Sequence, residues 1–163
     1  MIFVAVGTQL PFDRLIQAVD TWAGKAPGRE VMAQIAAGAY LPKHVRWERN
    51  LAPEAFHSCL EQSQLVVAHA GIGTILSALE LGKPVIVLPR RFSFGEHRND
   101  HQVATASRFG ERRMVQVAQD ETELQKLLDQ FETPVQSQRI SGSASPELIA
   151  NLRTFIEAAG FRR

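Results

Sequence analysis

Leu65-Val66-Val67-Ala68-His69-Ala70-Gly71-Ile72-Gly73-Thr74-Ile75-Leu76-Ser77-Ala78-Leu79-Glu80-Leu81-Gly82-Lys83-Pro84-Val85-Ile86-Val87-Leu88-Pro89 decides the fold. It opens on four apolar residues, turns through two glycines, and continues at helical spacing over residues 74–81. Gly82-Lys83-Pro84 then stops the helix, and a second apolar run ends at Pro89. Both runs are apolar throughout rather than alternating, as expected for strands buried on both faces.

Working outward, the same alternation fills the chain. Residues 2–6 are a β-type run ending at Gly7. Residues 11–23 carry Phe12, Leu15, Ile16 and Val19 at helical spacing. Strands are predicted over 31–36 and 45–48, and a helix over 53–62 with Pro53 in its first turn. A long polar loop runs from Arg90 to His97, and a helix follows to Phe109, closed by Gly110. A last strand covers 114–117 and a helix 121–131. Residues 133–145 are polar and Ser-rich and read as a linker. A C-terminal helix then starts with Ser145 as N-cap and Pro146 at its first position. The division is a core domain over 1–132, a linker over 133–145 and a terminal helix over 146–163. Strands alternating with helices predict an α/β fold, a parallel sheet with helices on both faces.

Composition narrows the function classes. The net charge is +1, from 18 basic and 17 acidic side chains, which argues against a general nucleic-acid binder. The single cysteine, Cys59, excludes an internal disulfide and reads as a buried helix residue. Residues 1–6 lack the basic start and long apolar core of a signal peptide. No stretch approaches the ~18 apolar residues of a membrane span. The expectation is a cytoplasmic protein, peripheral to the inner face of the membrane through a partner.

The unusual residues follow strand ends, where open α/β sheets bind ligands. In His69–Thr74, two glycines allow close approach of backbone N–H groups to an anion, and Thr74 opens the next helix. A helix N-terminus is a ready phosphate site, although a plain N-cap is the alternative for Thr74. His69 reads as a phosphate donor in preference to a core histidine. Gly7-Thr8-Gln9 either faces the same phosphates or is a simple strand-to-helix turn. In the polar loop, Asp100 and Gln102 suit sugar hydroxyls, and His97 and Arg98 suit phosphate. The chain holds no P-loop, no Asp-x-Asp and no zinc spacing. A dinucleotide fingerprint fails at Leu76, and an NADP reading survives only through Arg90 and Arg91.

The stretch 69–89, followed by Asn99-Asp100-His101-Gln102, resembles the C-terminal domain of glycosyltransferase family 28. The Gly7-Thr8 turn with Phe12, Asp13 and Leu15 is similar to the small donor subunits of two-part enzymes in that group. Those include the dolichol-linked N-acetylglucosaminyl transferase and bacterial exopolysaccharide transferases, some of which use glucuronic acid. The resemblance covers residues 1 to about 130 and implies a Rossmann-like sheet, the C-terminal half of a GT-B glycosyltransferase. It implies a UDP-sugar donor, with the diphosphate on His69, Gly71, Ile72, Gly73 and Thr74 and the sugar on Asp100 and Gln102. Uracil falls to the backbone around Asn50 and Leu51. Many members carry a ribose-gripping Glu where this chain has Ser77, so Ser77 is assigned that contact by its hydroxyl.

The implied reaction is an inverting, metal-independent transfer to a lipid-linked acceptor, without a cofactor. A membrane-associated partner subunit would hold the acceptor and supply the base. His97 and His101 are the candidate bases within the chain, and residues 146–159 the candidate docking helix. A UDP-sugar-binding regulatory module and an NADP-binding oxidoreductase domain are the competing readings.

Overall fold

A computed structural model describes residues 1–131, 139–143 and 146–158, without the side chains of residues 152 and 155–158. Six parallel strands form one sheet. They are β1 (Ile2–Ala5), β2 (Val31–Gln34), β3 (Arg46–Glu48), β4 (Leu65–Ala68), β5 (Val85–Val87) and β6 (Gln116–Val117). The helices are α1 (Asp13–Ala23), α2 (Pro53–Gln62), α3 (Ile72–Glu80), α4 (His101–Glu111), α5 (Glu121–Gln130) and α6 (Pro146–Ala158). The strand order is β3-β2-β1-β4-β5-β6, so the chain reverses direction across the sheet between β1 and β4. That switch point opens a crevice beyond the strand ends.

Alternation of side chains explains why the strands are apolar throughout. Ile2, Val4, Val67 and Ile86 point to one face, where they meet Leu15, Ile16, Val19 and Trp22 of α1 and Leu124 and Leu128 of α5. Phe3, Ala5, Val66, Ala68, Val85 and Val87 point to the other, against Leu60 of α2, Ile75 and Leu79 of α3 and Ala106 of α4. Each face of the four central runs is an apolar layer, and the polar strand residues Gln34, Arg46, Glu48 and Gln116 fall at the end of β2 and on the edge strands β3 and β6.

The structure shifts several predicted boundaries. α3 begins at Ile72, two residues before the expected start, with Gly71 as its N-cap. Thr74 therefore sits inside the first turn and does not open the helix. α4 begins at His101, later than expected, and a 3-10 turn at Phe92–Phe94 occupies the loop before it. Gly110 lies within α4 and does not close it. A Cβ there would lie 2.9 Å from Cγ2 of Val117, so close packing of α4 on β6 explains the glycine. The predicted strand over 114–117 forms only at its last two residues.

Cys59 is half-buried, packed at the edge of the second layer, and burial raises its thiol pKa. Most of the predicted linker, its Ser145 cap and residues 159–163 lie outside the described residues. The described part of the linker is tied to α3: Ile140 N–H donates to Leu79 O at 3.3 Å and Arg139 Nε to Glu80 O at 2.8 Å. In α6, Leu148 and Ile149 are 50% and 38% exposed. No described helix is long and apolar enough to cross a membrane.

One buried carboxylate holds the β2–β3 connection. Asp20 of α1 accepts from Tyr40 Oη at 2.7 Å, His44 N at 2.7 Å and Lys43 N at 3.0 Å. Burial opposes its charge, but these bonds win and lower its pKa. A depressed folded pKa contributes stability above the unfolded value, lost as pH falls through the folded one. Asp20→Asn is expected to cost about 2 kcal/mol at neutral pH. Urea unfolding should show that gap narrowing as the pH falls below 4; a constant gap would remove the charge from the account.

Candidate functional site

A cleft of about 670 Å³ lies at the switch point, over the ends of β1 and β4. Gly7, Thr8 and Gln9 form one wall, and Gly71, Gly73, Thr74 and Ser77 another. Leu51, Pro53, Phe56, His57 and Leu60 line one end. Arg90, His97, His101 and Gln102 line the other.

The first turn of α3 faces this space. The N–H groups of Ile72, Gly73 and Thr74 precede the first intrahelical bond, Ile75 N to Gly71 O at 3.2 Å. A Cβ added to Gly73 would meet nothing within 4 Å. The other two glycines serve a different purpose. A Cβ at Gly71 would sit 2.2 Å from His69 Nε2, and one at Gly7 would sit 2.9 Å away. The His69 ring is thus wedged between two turns, and both glycines make room for it. Gly7 also adopts φ +78, a backbone state that side chains disfavour.

His69 differs from the donor the sequence suggests. Its Nδ1 lies 3.3 Å from the Ala5 carbonyl, which can only accept, so the proton belongs on Nδ1. Burial, and then the charge of Arg90, hold its pKa at about 4. The ring is neutral at pH 7 and its Nε2 is an acceptor.

Arg90 is 2% exposed. Its Nη2 donates to Val6 O at 2.6 Å and Leu10 O at 2.7 Å, and its Nη1 to Pro11 O at 3.1 Å and Glu96 O at 3.4 Å. It therefore shapes the turn that carries Gly7, Thr8 and Gln9. Its terminal nitrogens are committed to carbonyls, and Arg91 Nη2 donates to Gln119 O at 2.5 Å. Of the two arginines behind the NADP reading, Arg90 is thus turned inward onto the protein's own carbonyls.

The polar loop is held in place. Glu96 accepts Arg14 Nε at 2.6 Å and Nη2 at 2.9 Å, and takes the Arg91 N–H at 2.9 Å. Gln102 is buried, and its Oε1 accepts Arg90 N–H at 3.2 Å. His97 and His101 stack edge-to-face at 4.4 Å. Burial, then the charges of His101 and Arg90, lower the His97 pKa. His101 Nδ1 lies 2.6 Å from Asn99 Oδ1.

Twelve of the predicted site residues line the cleft: Gly7, Thr8, Gln9, Leu51, His69, Gly71, Gly73, Thr74, Ser77, His97, His101 and Gln102. Asn50, Ile72, Arg98 and Asp100 do not line it, and each side chain is exposed. The Asp100 carboxylate instead accepts the Phe92 N–H at 2.8 Å, closing the 3-10 turn. Glu80 also stays outside, so Thr74 and Ser77 are the α3 hydroxyl side chains that line the cleft.

Sequence reasoning missed Gln34, His57 and the clamp formed by Arg90. Gln34 ends β2, a position whose polarity in a dry layer was the available signal. Its Oε1 accepts the Leu51 N–H at 3.0 Å, which ties the segment after β3 to the end of β2. Among the described residues, no group of three His, Cys, Asp or Glu side chains is placed to hold a metal ion.

Residues 1–152 match the model of the glycosyltransferase family 28 C-terminal domain. The chain belongs to that family. No match is found among the curated proteins. The solved structures share the fold at low identity. The MurG of Acinetobacter baumannii is 15% identical at a TM-score of 0.63, covering 96% of this chain and 49% of its own. The solution structure of ALG13 is 19% identical at 0.59, covering 93% of each. The UDP-GlcNAc 2-epimerase of Neisseria meningitidis, bound to UDP-GlcNAc, is 13% identical at 0.54, covering 99% of this chain and 39% of its own. This family-28 chain therefore spans about half of MurG and less of the epimerase, but nearly all of ALG13. Its six-stranded sheet is that of the C-terminal domains of GT-B glycosyltransferases.

The neutrality of His69 has a measurable consequence. A histidine whose folded pKa is lowered leaves the unfolded state binding more protons, so stability falls as pH drops from 6.5 to about 4. His69→Gln should lack roughly 3 kcal/mol of this dependence. Urea midpoints for both proteins at pH 7 and pH 4.5 measure it; parallel pH profiles would show a ring already charged in the fold.

Proposed function

We propose that this domain is the donor-binding half of an inverting glycosyltransferase that uses a UDP-sugar. The observation that carries the reading is the first turn of α3. Its unpaired N–H groups and open Gly73 face a cleft at the switch point, opposite the Gly7-Thr8 turn. A helix N-terminus offers about half a positive charge and preorganised donors. The diphosphate lies there, the uracil over Leu51 and Phe56, the ribose by Ser77 and the sugar near Gln102. The ligand of the epimerase that shares the fold, UDP-GlcNAc, is of this class.

In the reaction an acceptor hydroxyl oxygen attacks the anomeric carbon. The bond to the UDP oxygen breaks, UDP leaves with the electron pair, and the hydroxyl proton passes to a base. Charge grows on the leaving diphosphate, where fixed N–H donors stabilise it without reorganising. His97, kept neutral by its surroundings, is the base candidate inside the cleft; a base on an acceptor-binding partner is the alternative. The acceptor is lipid-linked, and the partner is a membrane-associated subunit that closes the open side of the cleft. The exposed Leu148 and Ile149 of α6 suit a docking role. The domain then works at the cytoplasmic face of the membrane.

UDP at ~100 times its dissociation constant should add about 2.7 kcal/mol of stability. Gly73→Val, which projects into open space, should keep the fold and lose that gain. A UDP-induced rise in melting temperature that is equal in both proteins would put the ligand elsewhere.

Transfer from a UDP-sugar to a lipid-linked acceptor, with the partner present, is expected to survive EDTA, because donors to the diphosphate are backbone N–H groups. Activity lost to EDTA and restored by magnesium or manganese would reject the metal-free route. UDP-sugar binding with no turnover under any partner would instead support a regulatory module.

A further inference from the structure

We propose that Arg90 is the fixed cation of the cleft, supplying from its floor the positive charge that selects a diphosphate over an uncharged nucleoside. The proposal rests on reading the cleft as a nucleoside-diphosphate site. Among the described residues Arg90 is the only buried basic side chain. A buried charge is expensive unless paired, and removing it in favour of apolar packing is often neutral or better. Here the cation is retained and met only by neutral carbonyls, those of Val6, Leu10, Pro11 and Glu96, with the Phe12 ring 4.9 Å from the guanidinium carbon. Its Nε has no partner. The nearest carboxylate by charge, Glu96, is bonded to Arg14, which also reaches the half-exposed Glu121 at 3.3 Å. Among the described residues, no carboxylate hydrogen-bonds to Arg90.

The surrounding titratable groups strengthen the argument. The two imidazoles coupled to Arg90, His69 of the β4 end and His97 of the loop, are both held toward neutrality, and Arg90 is one cause in each case. His101 of α4 stacks on His97 from the far side. A guanidinium stays charged throughout the physiological range. The α3 N-terminus provides about half a unit of charge, less than a diphosphate carries. Arg90 adds one full unit by its field, without touching the ligand. Its hydrogen bonds to Val6 and Leu10 also fix the turn of residues 7–9, which makes it a positioning residue as well.

The test is titration of wild type, Arg90→Met and Arg90→Lys with UDP and with uridine, followed by NMR, with the fold checked by the same spectra. Arg90→Met should lose roughly tenfold or more in UDP affinity and less than about threefold in uridine affinity. Arg90→Lys, which keeps the charge, should retain most of the preference for UDP. The His69 ring should titrate near 4 in wild type and move toward the ordinary histidine value in Arg90→Met. Equal losses for UDP and uridine in both variants would reduce Arg90 to a clamp and overturn the proposal. If Arg90→Met does not fold, a retained UDP preference in Arg90→Lys supports the proposal, and a collapsed one overturns it. A wild-type His69 titrating well above its ordinary value would move the cation to the imidazole and overturn it too. Wild-type protein that binds no UDP would sink the reading of the cleft itself, an outcome separate from UDP binding that Arg90→Met leaves intact.

Discussion

The His69 imidazole sits between Gly7 and Gly71, and the rest of the cleft depends on that fit. The ring links the turn after β1 to the turn after β4, the two strands that flank the switch point. Its Nδ1 bond to Ala5 O ties it to the end of β1. A larger residue at either glycine meets the ring before it meets any ligand. The spacing of the two turns is therefore set by packing inside the protein, and the N-terminus of α3 is held at the distance this spacing dictates. Gly73, two residues further on, is left open toward the cleft.

Much of this was legible in the sequence. Runs such as Leu65-Val66-Val67-Ala68 announced strands covered on both faces, and the two separate core layers give the reason. The placement of unusual residues at strand ends located the cleft, because parallel strands put all their C-terminal ends on one edge. Local chemistry was less readable. Gly71 suggested close backbone approach to an anion, and Gly7 either that or a plain turn; a Cβ at either would meet the His69 ring. Asp100 looked like a sugar ligand but caps a turn through Phe92. Arg90 looked like a surface loop residue, yet it is buried and bonded to carbonyls as far away as Val6. For Gly7 and Arg90 the deciding partner is remote along the chain, and for Gly71 and Asp100 it is a nearby residue whose placement the fold sets; periodicity carries no information about either. Gln34 was overlooked for a related reason: its bond to Leu51 exists only once β2 and the segment after β3 are side by side.

Family membership and physical reading agree without depending on each other. The family model spans residues 1–152, which takes in both core layers and the described start of α6. The low identities to solved structures mean that the sheet order, rather than any shared side chain, is what those comparisons carry. The side-chain arguments stand on this chain's own geometry.

The loop between β5 and α4 is tied down along its length. Arg14 grips Glu96, Glu96 takes the Arg91 N–H, Asp100 takes the Phe92 N–H, and Arg90 reaches back to the first turn. Loops of this length usually keep much conformational freedom, and a ligand that orders one must offset the lost entropy. Here that entropy has been surrendered during folding. A ligand met at this end of the cleft thus requires little ordering of the chain, and its affinity reflects contacts rather than the stiffening of a flexible segment.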